Sequence, residues 1–178
     1  MGITNHLGNL GEDLVSLLFR RRIDNAYRFS TTFLGEKAQL LDFMVNLLDD
    51  SGSAYGPFFF LQVKATNKPS PPGQLIPARF TSDEVKRALA RRCPVYLVAV
   101  ACVDDDSEEV FVIAVETTLT GGVAGVPRLF SLSETGTRLQ IYKEVQTHFG
   151  SKMASFESLL TRKAHAQKTQ KRSHDGQP

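Results

Sequence analysis

The sequence predicts an α/β fold in which helices flank a mixed β-sheet. Three observations support this class: an amphipathic helical pattern at the N-terminus, several short runs dense in β-branched and aromatic residues, and a capped helix between two of those runs. Strands joined by a tight turn pair antiparallel, whereas strands joined through a helix pair in parallel. The elements are therefore expected in the order α-β-β-β-α-β-β, in a mixed sheet flanked by helices.

The first half of the chain is predicted to form one helix and three strands. Residues 4–22 carry five leucines at helical spacing, which indicates an amphipathic helix. A short strand is predicted at 26–32 and an apolar central strand at 39–48. Turn-forming residues at 49–57 then lead into a strand at 58–66 that is rich in aromatic and β-branched side chains.

The second half begins with a Pro-rich loop at 67–74, which cannot join a hydrogen-bonded ladder. Thr81 followed by Glu84 matches a capping box, so a helix is predicted from there to about Arg92. The rest of the body is predicted to contain two strands, a loop and a short closing helix, at 93–103, 110–115, 120–127 and 151–160 respectively.

Length and composition indicate one domain. The 178 residues are 42% hydrophobic, which is enough for a core, and we expect a domain over 1–161 with a basic, disordered tail over 162–178. No apolar run is long enough to span a bilayer, and the N-terminus lacks the features of a signal peptide. We therefore expect a cytoplasmic protein with no membrane partner, whose two cysteines, Cys93 and Cys102, are reduced.

The net charge of +2 hides an uneven distribution of charge. The tail holds five Lys or Arg residues against one acid, so the body is slightly acidic overall. Within the body, residues 64–92 hold seven basic side chains against two acidic ones, whereas 104–109 hold five acids and no base. The basic stretch is compatible with a nucleic-acid-binding face and equally with ordinary solvated helix and loop surfaces.

Three polar residues interrupt strands that are otherwise apolar. Asp42 lies in the central strand, and Gln62 and Lys64 lie in the next one, where alternation places them on the same face as Phe58 and Phe60. Left unpaired in a core, such groups would each cost several kcal/mol. They are expected to satisfy one another, to bind an ion, or to open onto a cleft. The simplest alternative is a buried Asp42–Lys64 ion pair, which would stabilise the fold poorly.

Glu12 is a fourth candidate. At about 100° per residue it falls at the margin of the leucine stripe, beside Gly8 and Gly11, which are small enough to allow a strand to approach closely. Asp13 is expected to face solvent. Taken alone, a glutamate at such a position is more often a surface carboxylate than a ligand.

Together these residues form a more specific pattern. The segments GED at 11–13, LD at 41–42 and QVKAT at 62–66, each in its helix or strand context, resemble the PD-(D/E)XK nuclease superfamily. The branch that is most similar has Gln in place of the acid, as in the DUF4365 domains associated with bacterial defence and mobile elements. The resemblance covers Gly11 to about Val115 and implies a restriction-endonuclease-like three-layer core.

The resemblance also implies a function, namely hydrolysis of DNA phosphodiester bonds that depends on Mg²⁺ or Mn²⁺. Asp42, the Gln62 amide oxygen and the Val63 carbonyl would hold the cation, as hard oxygen ligands do. Lys64 would orient or deprotonate the attacking water and offset transition-state charge. Glu12 would hold a second metal ion or a water molecule.

Nucleic-acid contacts are expected from one hydroxyl and from the basic stretch, which would follow the phosphate backbone with little sequence readout. These contact residues are Thr66, Lys68, Arg79, Lys86 and Arg87. The partner implied is DNA, with room for a protein partner of a defence system and for a dimer. The four tyrosines show no stacking-platform pattern, and no Walker A, HExxH, CxxC or GxSxG motif occurs.

The chain departs from this branch of the superfamily at two positions, and these departures motivate an alternative function. Leu41 stands where the branch usually has Gly-Ile before the Asp, and Gln62 is a neutral ligand that would weaken metal binding. The alternative is a nuclease-fold module that binds nucleic acid or a partner protein without cutting.

Overall fold

The computed structural model describes residues 3–35, 40–104, 107–151 and 156–160. In this part of the chain it confirms the predicted class, because helices flank a mixed five-stranded sheet. The elements are α1 Ile3–Arg20, β1 Phe29–Phe33, β2 Phe43–Leu48, β3 Ala54–Thr66, β4 Ile76–Phe80, α2 Ser82–Leu89, β5 Val95–Asp104, β6 Ser107–Ala114, β7 Val123–Val126 and α3 Thr135–Gly150, with a 3₁₀ turn at Thr117–Leu119. No described helix is both long and apolar enough to cross a membrane.

The main sheet has the strand order β1-β2-β3-β5-β6. β3 and β5 run parallel, with Gln62 opposite Leu97, and all the other neighbours in this sheet are antiparallel. The crossover from β3 to β5 contains β4 and α2, which matches the predicted parallel connection. β3 is therefore the central strand, flanked by β2 on one side and β5 on the other.

The sheet separates two apolar cores, and this arrangement gives three layers. One face packs against α1 and α3 through residues such as Phe19, Val63 and Ile141. The other face packs against α2 and a second, two-stranded sheet of β4 and β7, through residues such as Val85 and Leu97. Because side chains alternate across β3, Gln62 and Lys64 point to the second face, while Val63 and Ala65 point to the first.

Two parts of the sequence-based prediction are wrong. The helix that closes the domain is α3 and not the helix predicted at 151–160. In the predicted segment Ser151 is extended, and among residues 156–160 only Leu159 and Leu160 are helical. α3 lacks an apolar stripe because Thr137, Arg138 and Glu144 are among its buried residues. The predicted loop at 120–127 contains β7, which pairs with the unpredicted β4.

Two expectations fall outside the described residues. The basic tail at 162–178 lies there, as does part of the acidic stretch at 104–109.

The strand predicted at 39–48 is shorter than expected, since β2 begins at Phe43 and Asp42 precedes it.

Candidate active site

Asp42 is fixed at the point where β2 stops pairing with β3. Its backbone N–H donates to the Leu61 carbonyl at 2.8 Å, and its carbonyl accepts from the Leu34 N–H at 2.8 Å. The β2–β3 register ends at Phe43 opposite Leu61, so no β2 backbone group meets the next N–H of β3, that of Val63. The Asp42 Oδ2 accepts that N–H instead, at 2.6 Å. The carboxylate therefore takes the place of a missing backbone partner.

Gln62 lies against this carboxylate and is only 6% exposed. Its Nε2 donates to Asp42 Oδ2 at 2.7 Å and to the Val63 carbonyl at 3.2 Å. Within the described part of the chain, neither Asp42 Oδ1 nor Gln62 Oε1 accepts a hydrogen bond. Two oxygen acceptors at the break between β2 and β3 thus remain available to another group.

Lys64 is half-buried on the same face of β3 as Gln62. The salt bridges formed by the described residues are Arg28–Asp50, Lys86–Asp83 and Arg128–Glu109. The Asp42–Lys64 ion pair considered from the sequence is therefore not formed. The ammonium is nevertheless close enough to favour ionisation of Asp42.

Glu12 lies near enough to Asp42 for the two charges to interact, and α1 approaches the sheet closely at the preceding residue, Gly11. A Cβ atom at Gly11 would lie 2.8 Å from the Cβ of Ala65 on β3, whereas one at Gly8 would meet nothing within 4 Å. The expectation of close approach therefore holds at Gly11 and is wrong at Gly8. Glu12 is half-buried beside this contact, and Asp13 is exposed as predicted.

The two carboxylates share an environment that disfavours negative charge. Burial raises the pKa of Asp42, and the Val63 N–H and the charge of Lys64 offset that rise only in part. Burial also raises the pKa of Glu12, and the charge of Asp42 raises it further. Two partly desolvated carboxylates that repel each other would be stabilised by a bound cation.

Glu84 lies near this site and was predicted only as a helix cap. Its Oε2 accepts from the Thr81 backbone N–H at 2.6 Å, and the Thr81 hydroxyl accepts from the Glu84 N–H at 3.3 Å, which confirms the capping box. Burial raises the pKa of Glu84, but the Thr81 hydrogen bonds and the charges of Lys64 and Arg87 bring it below its ordinary value. The capping box already explained why a glutamate stands at position 84, so no sequence signal indicated that its carboxylate lies near Lys64.

The predicted phosphate-contact residues divide into one buried hydroxyl and four exposed cations. Thr66 is 9% exposed, and its Oγ1 accepts the Lys68 N–H at 3.2 Å, so this hydroxyl closes the turn after β3. The side chains open to solvent are those of Lys68, Arg79, Lys86 and Arg87.

Arg128 holds the Pro-rich loop that follows β3. Its guanidinium donates to the carbonyls of Ser70, Pro71 and Gln74 at 3.0, 3.3 and 2.9 Å. The same side chain is anchored by the Glu109 carboxylate at 2.8 Å. Hydrogen bonds from one side chain thus fix a loop that has no ladder of its own, and no local sequence pattern pointed to this long-range partner.

The donor set fits a hard divalent cation. The candidate ligands are Asp42 Oδ1 and Gln62 Oε1, the Val63 carbonyl, which also accepts from Gln62 Nε2, and the Glu12 carboxylate. Mg²⁺ prefers such oxygen ligands while keeping several waters. Among the described residues, no cluster of three or more His, Cys, Asp or Glu side chains is arranged to hold a metal ion. A cation here would therefore depend on amide and carbonyl oxygens as well as on carboxylates.

The chain was compared with protein-family models, with curated proteins and with solved structures. No family model, no curated protein and no solved structure matches the chain.

Proposed function

We propose that the chain is a metal-dependent phosphodiesterase that acts on DNA. The observation that carries the proposal is the grouping of Asp42, Gln62 and Lys64 at the break between β2 and β3, with Glu12 brought alongside by α1. Asp42 is a half-buried carboxylate whose pKa is raised, it lies near a second carboxylate, and the nearby Lys64 ammonium forms no contact ion pair with any described residue. Such an arrangement is a poor way to stabilise a fold. Such groupings are typical of functional sites.

Each residue has a role that follows from its chemistry. Asp42 Oδ1, Gln62 Oε1 and the Val63 carbonyl would hold Mg²⁺ or Mn²⁺, which when bound supplies Lewis-acid stabilisation of phosphoryl oxygens. Lys64 would orient the attacking water through a hydrogen bond and offset negative charge that develops on the phosphate. Glu12 would accept a hydrogen bond from a water molecule or hold a second cation.

DNA is the proposed substrate because four exposed cations follow the site in sequence. Lys68, Arg79, Lys86 and Arg87 would contact backbone phosphates without reading the bases. The same proposal places the protein in the cytoplasm, where its free thiols would stay reduced, and allows a protein partner in a defence system.

A nicking assay on supercoiled plasmid tests the proposal. Wild-type protein is compared with Asp42→Ala and Lys64→Ala, with Mg²⁺, with Mn²⁺ and with EDTA. We expect cleavage only with a divalent cation, and a loss of at least about 100-fold in each variant, since each removes a group that contacts the reacting phosphate or its metal. Asp13→Ala is the matched control, because Asp13 is an exposed neighbour of Glu12. Equal cleavage by wild type and both site variants would overturn the proposal.

A second candidate function is a module that binds nucleic acid without cutting it. One observation favours it: the Gln62 Nε2–H and the Val63 N–H both donate to Asp42 Oδ2, so this oxygen of the carboxylate is already satisfied by the protein without a cation. If this module is the correct function, Mn²⁺ at millimolar concentration will show no binding in calorimetry, while DNA binding persists in EDTA.

A further inference from the structure

One half of the main sheet presents a face that the described elements cover only in part, since Phe60 packs against the edge of the second apolar core and Phe149 of α3 packs against Phe58. On the side that carries Gln62 and Lys64, the alternate residues of β1, β2 and β3 lie in register, with Thr32 opposite Met44 and Met44 opposite Phe60. Each of these side chains is exposed or half-buried. We call this surface the open face; it consists of Ser30, Thr32, Met44, Asn46, Phe58 and Phe60. The second apolar core, with α2 and the β4–β7 sheet, is centred on the neighbouring β5 half.

Aromatic rings and a cation line the part of the open face next to the candidate site. Phe60 precedes Gln62 by two residues on the same face, and its ring centroid lies 5.6 Å from that of Phe58. Phe149 of α3 extends the row, with its centroid 5.2 Å from Phe58 and 41% of its surface exposed. The Arg91 guanidinium lies over the Phe60 ring, 5.7 Å from its centroid. None of the six residues of the open face is acidic.

We propose that the open face binds an unpaired DNA strand whose bases stack on Phe58 and on the guanidinium of Arg91 that lies over Phe60. Exposed aromatic rings next to a cation are the usual means of holding single strands, since every unpaired base offers a π face. The bases of a duplex stack on each other and offer no such face to a sheet. The row leads directly to Gln62 and Lys64, so a strand bound there would deliver a phosphodiester to the candidate site. This inference rests on the proposed function and names the substrate form, a single strand or an unpaired end. The four tyrosines of the sequence did not indicate this binding surface, because the aromatic rings of the open face are phenylalanines.

The test is a fluorescence-anisotropy titration of the full chain in EDTA, which keeps binding separate from cleavage. The probes are labelled oligo-dT of about 12 nucleotides, within the usual site sizes, and a hairpin duplex with the same number of phosphates. We expect dT to bind at least about tenfold more tightly than the duplex. Phe60→Leu keeps the apolar packing but removes the ring beneath the Arg91 guanidinium, and should weaken dT binding by about tenfold, as expected for one lost stack.

Two further variants complete the design. Phe33→Leu is the matched control, since Phe33 is 57% exposed on β1 but packs its ring against Phe43 on the other side of the sheet. It should bind dT like the wild type. Arg91→Gln should weaken binding without touching the core, which keeps the test decisive if Phe60→Leu folds poorly. Equal affinity for dT and duplex, or wild-type affinity in both Phe60→Leu and Arg91→Gln, would overturn the inference. A wild-type dimer in sedimentation that either variant converts to a monomer would overturn it as well, because the face would then be an interface between two copies of the chain.

The two proposals fail separately. If dT binding in EDTA behaves as expected but Asp42→Ala nicks plasmid like the wild type, only the proposed catalysis is contradicted. If metal-dependent nicking is lost in Asp42→Ala but dT has no advantage over duplex, only the substrate form is contradicted.

Discussion

Gly11 controls how closely Glu12 is held to the rest of the candidate site, and Gly11→Ala tests this directly. The new Cβ would lie 2.8 Å from the Ala65 Cβ, whereas ordinary contact begins at 3.4 Å, so α1 and β3 must separate by about 0.6 Å. Overpacking of this kind costs about 1–3 kcal/mol, against a gain of about 1 kcal/mol from replacing a helical glycine. We expect a net loss of up to about 2 kcal/mol in the free energy of unfolding, measured by urea denaturation.

Gly8→Ala provides the matched control on the same helix. A Cβ there meets nothing within 4 Å, so only the helix-propensity gain of about 0.5–1 kcal/mol remains. The displacement of α1 in Gly11→Ala also moves Glu12 away from Asp42, and misplacements near 1 Å can cost up to about 100-fold in rate. Nicking activity should fall in Gly11→Ala and persist in Gly8→Ala. If the two variants are equally stable and equally active, the close approach at Gly11 does not position the site.

Three further predictions concern Asp42, Arg128 and Glu144. Because the folded state raises the pKa of Asp42, its protonation stabilises the fold, and that contribution is present below its ordinary pKa of 3.8 and lost as pH rises through the higher folded value. Asp42→Asn should therefore raise the melting temperature by about 2–4 °C at pH 8, which corresponds to a gain of about 1 kcal/mol in a domain of this size, and by much less at pH 4. A lower melting temperature at pH 8 would contradict this and show that the Asp42 carboxylate stabilises the fold. Arg128→Met should leave the melting temperature within about 2 °C of the wild-type value but speed proteolysis of the Pro-rich loop at 67–74. Arg79→Met is the control, and unchanged cleavage in Arg128→Met would show that Arg128 does not hold the loop. Glu144→Leu should cost about 3 kcal/mol or more in urea denaturation, because it strands the buried Tyr96 and Ser158 hydroxyls that donate to Glu144 at 2.7 and 2.8 Å; a loss below about 1 kcal/mol would contradict this.

The sequence predicted the candidate site residues where a polar side chain stands among apolar ones, and it predicted elements where their signals are local. Asp42, Gln62 and Lys64 stand out because polar groups interrupt apolar strands, and the structure places them around one break in the sheet. β3 and α2 were predictable because a dense aromatic strand and a capping box are local signals.

Long-range partners explain what the sequence could not predict. α3 buries Arg138 and Glu144, which makes its pattern look polar. Glu144 accepts from Tyr96, which lies 48 residues away in the chain, whereas Arg138 donates to the Leu132 and Ser133 carbonyls just before the helix. β4 and β7 are short and contain Pro77 and Gly125, so each resembles a loop until the other is beside it. The orientation of the Gln62 amide likewise depends on Asp42, which is 20 residues away in the chain.

The central claim is that Asp42 and Gln62 hold a divalent cation, and calorimetric titration with Mn²⁺ tests it most directly. Wild-type protein is compared with Asp42→Asn and with Gln62→Leu, and Asp13→Asn serves as the control for charge removed at a nearby exposed position. We predict saturable binding at millimolar or lower Mn²⁺ in the wild type and in Asp13→Asn, and a loss of at least about tenfold in affinity in both site variants. Binding that is absent in the wild type, or unchanged in Asp42→Asn, would contradict the claim.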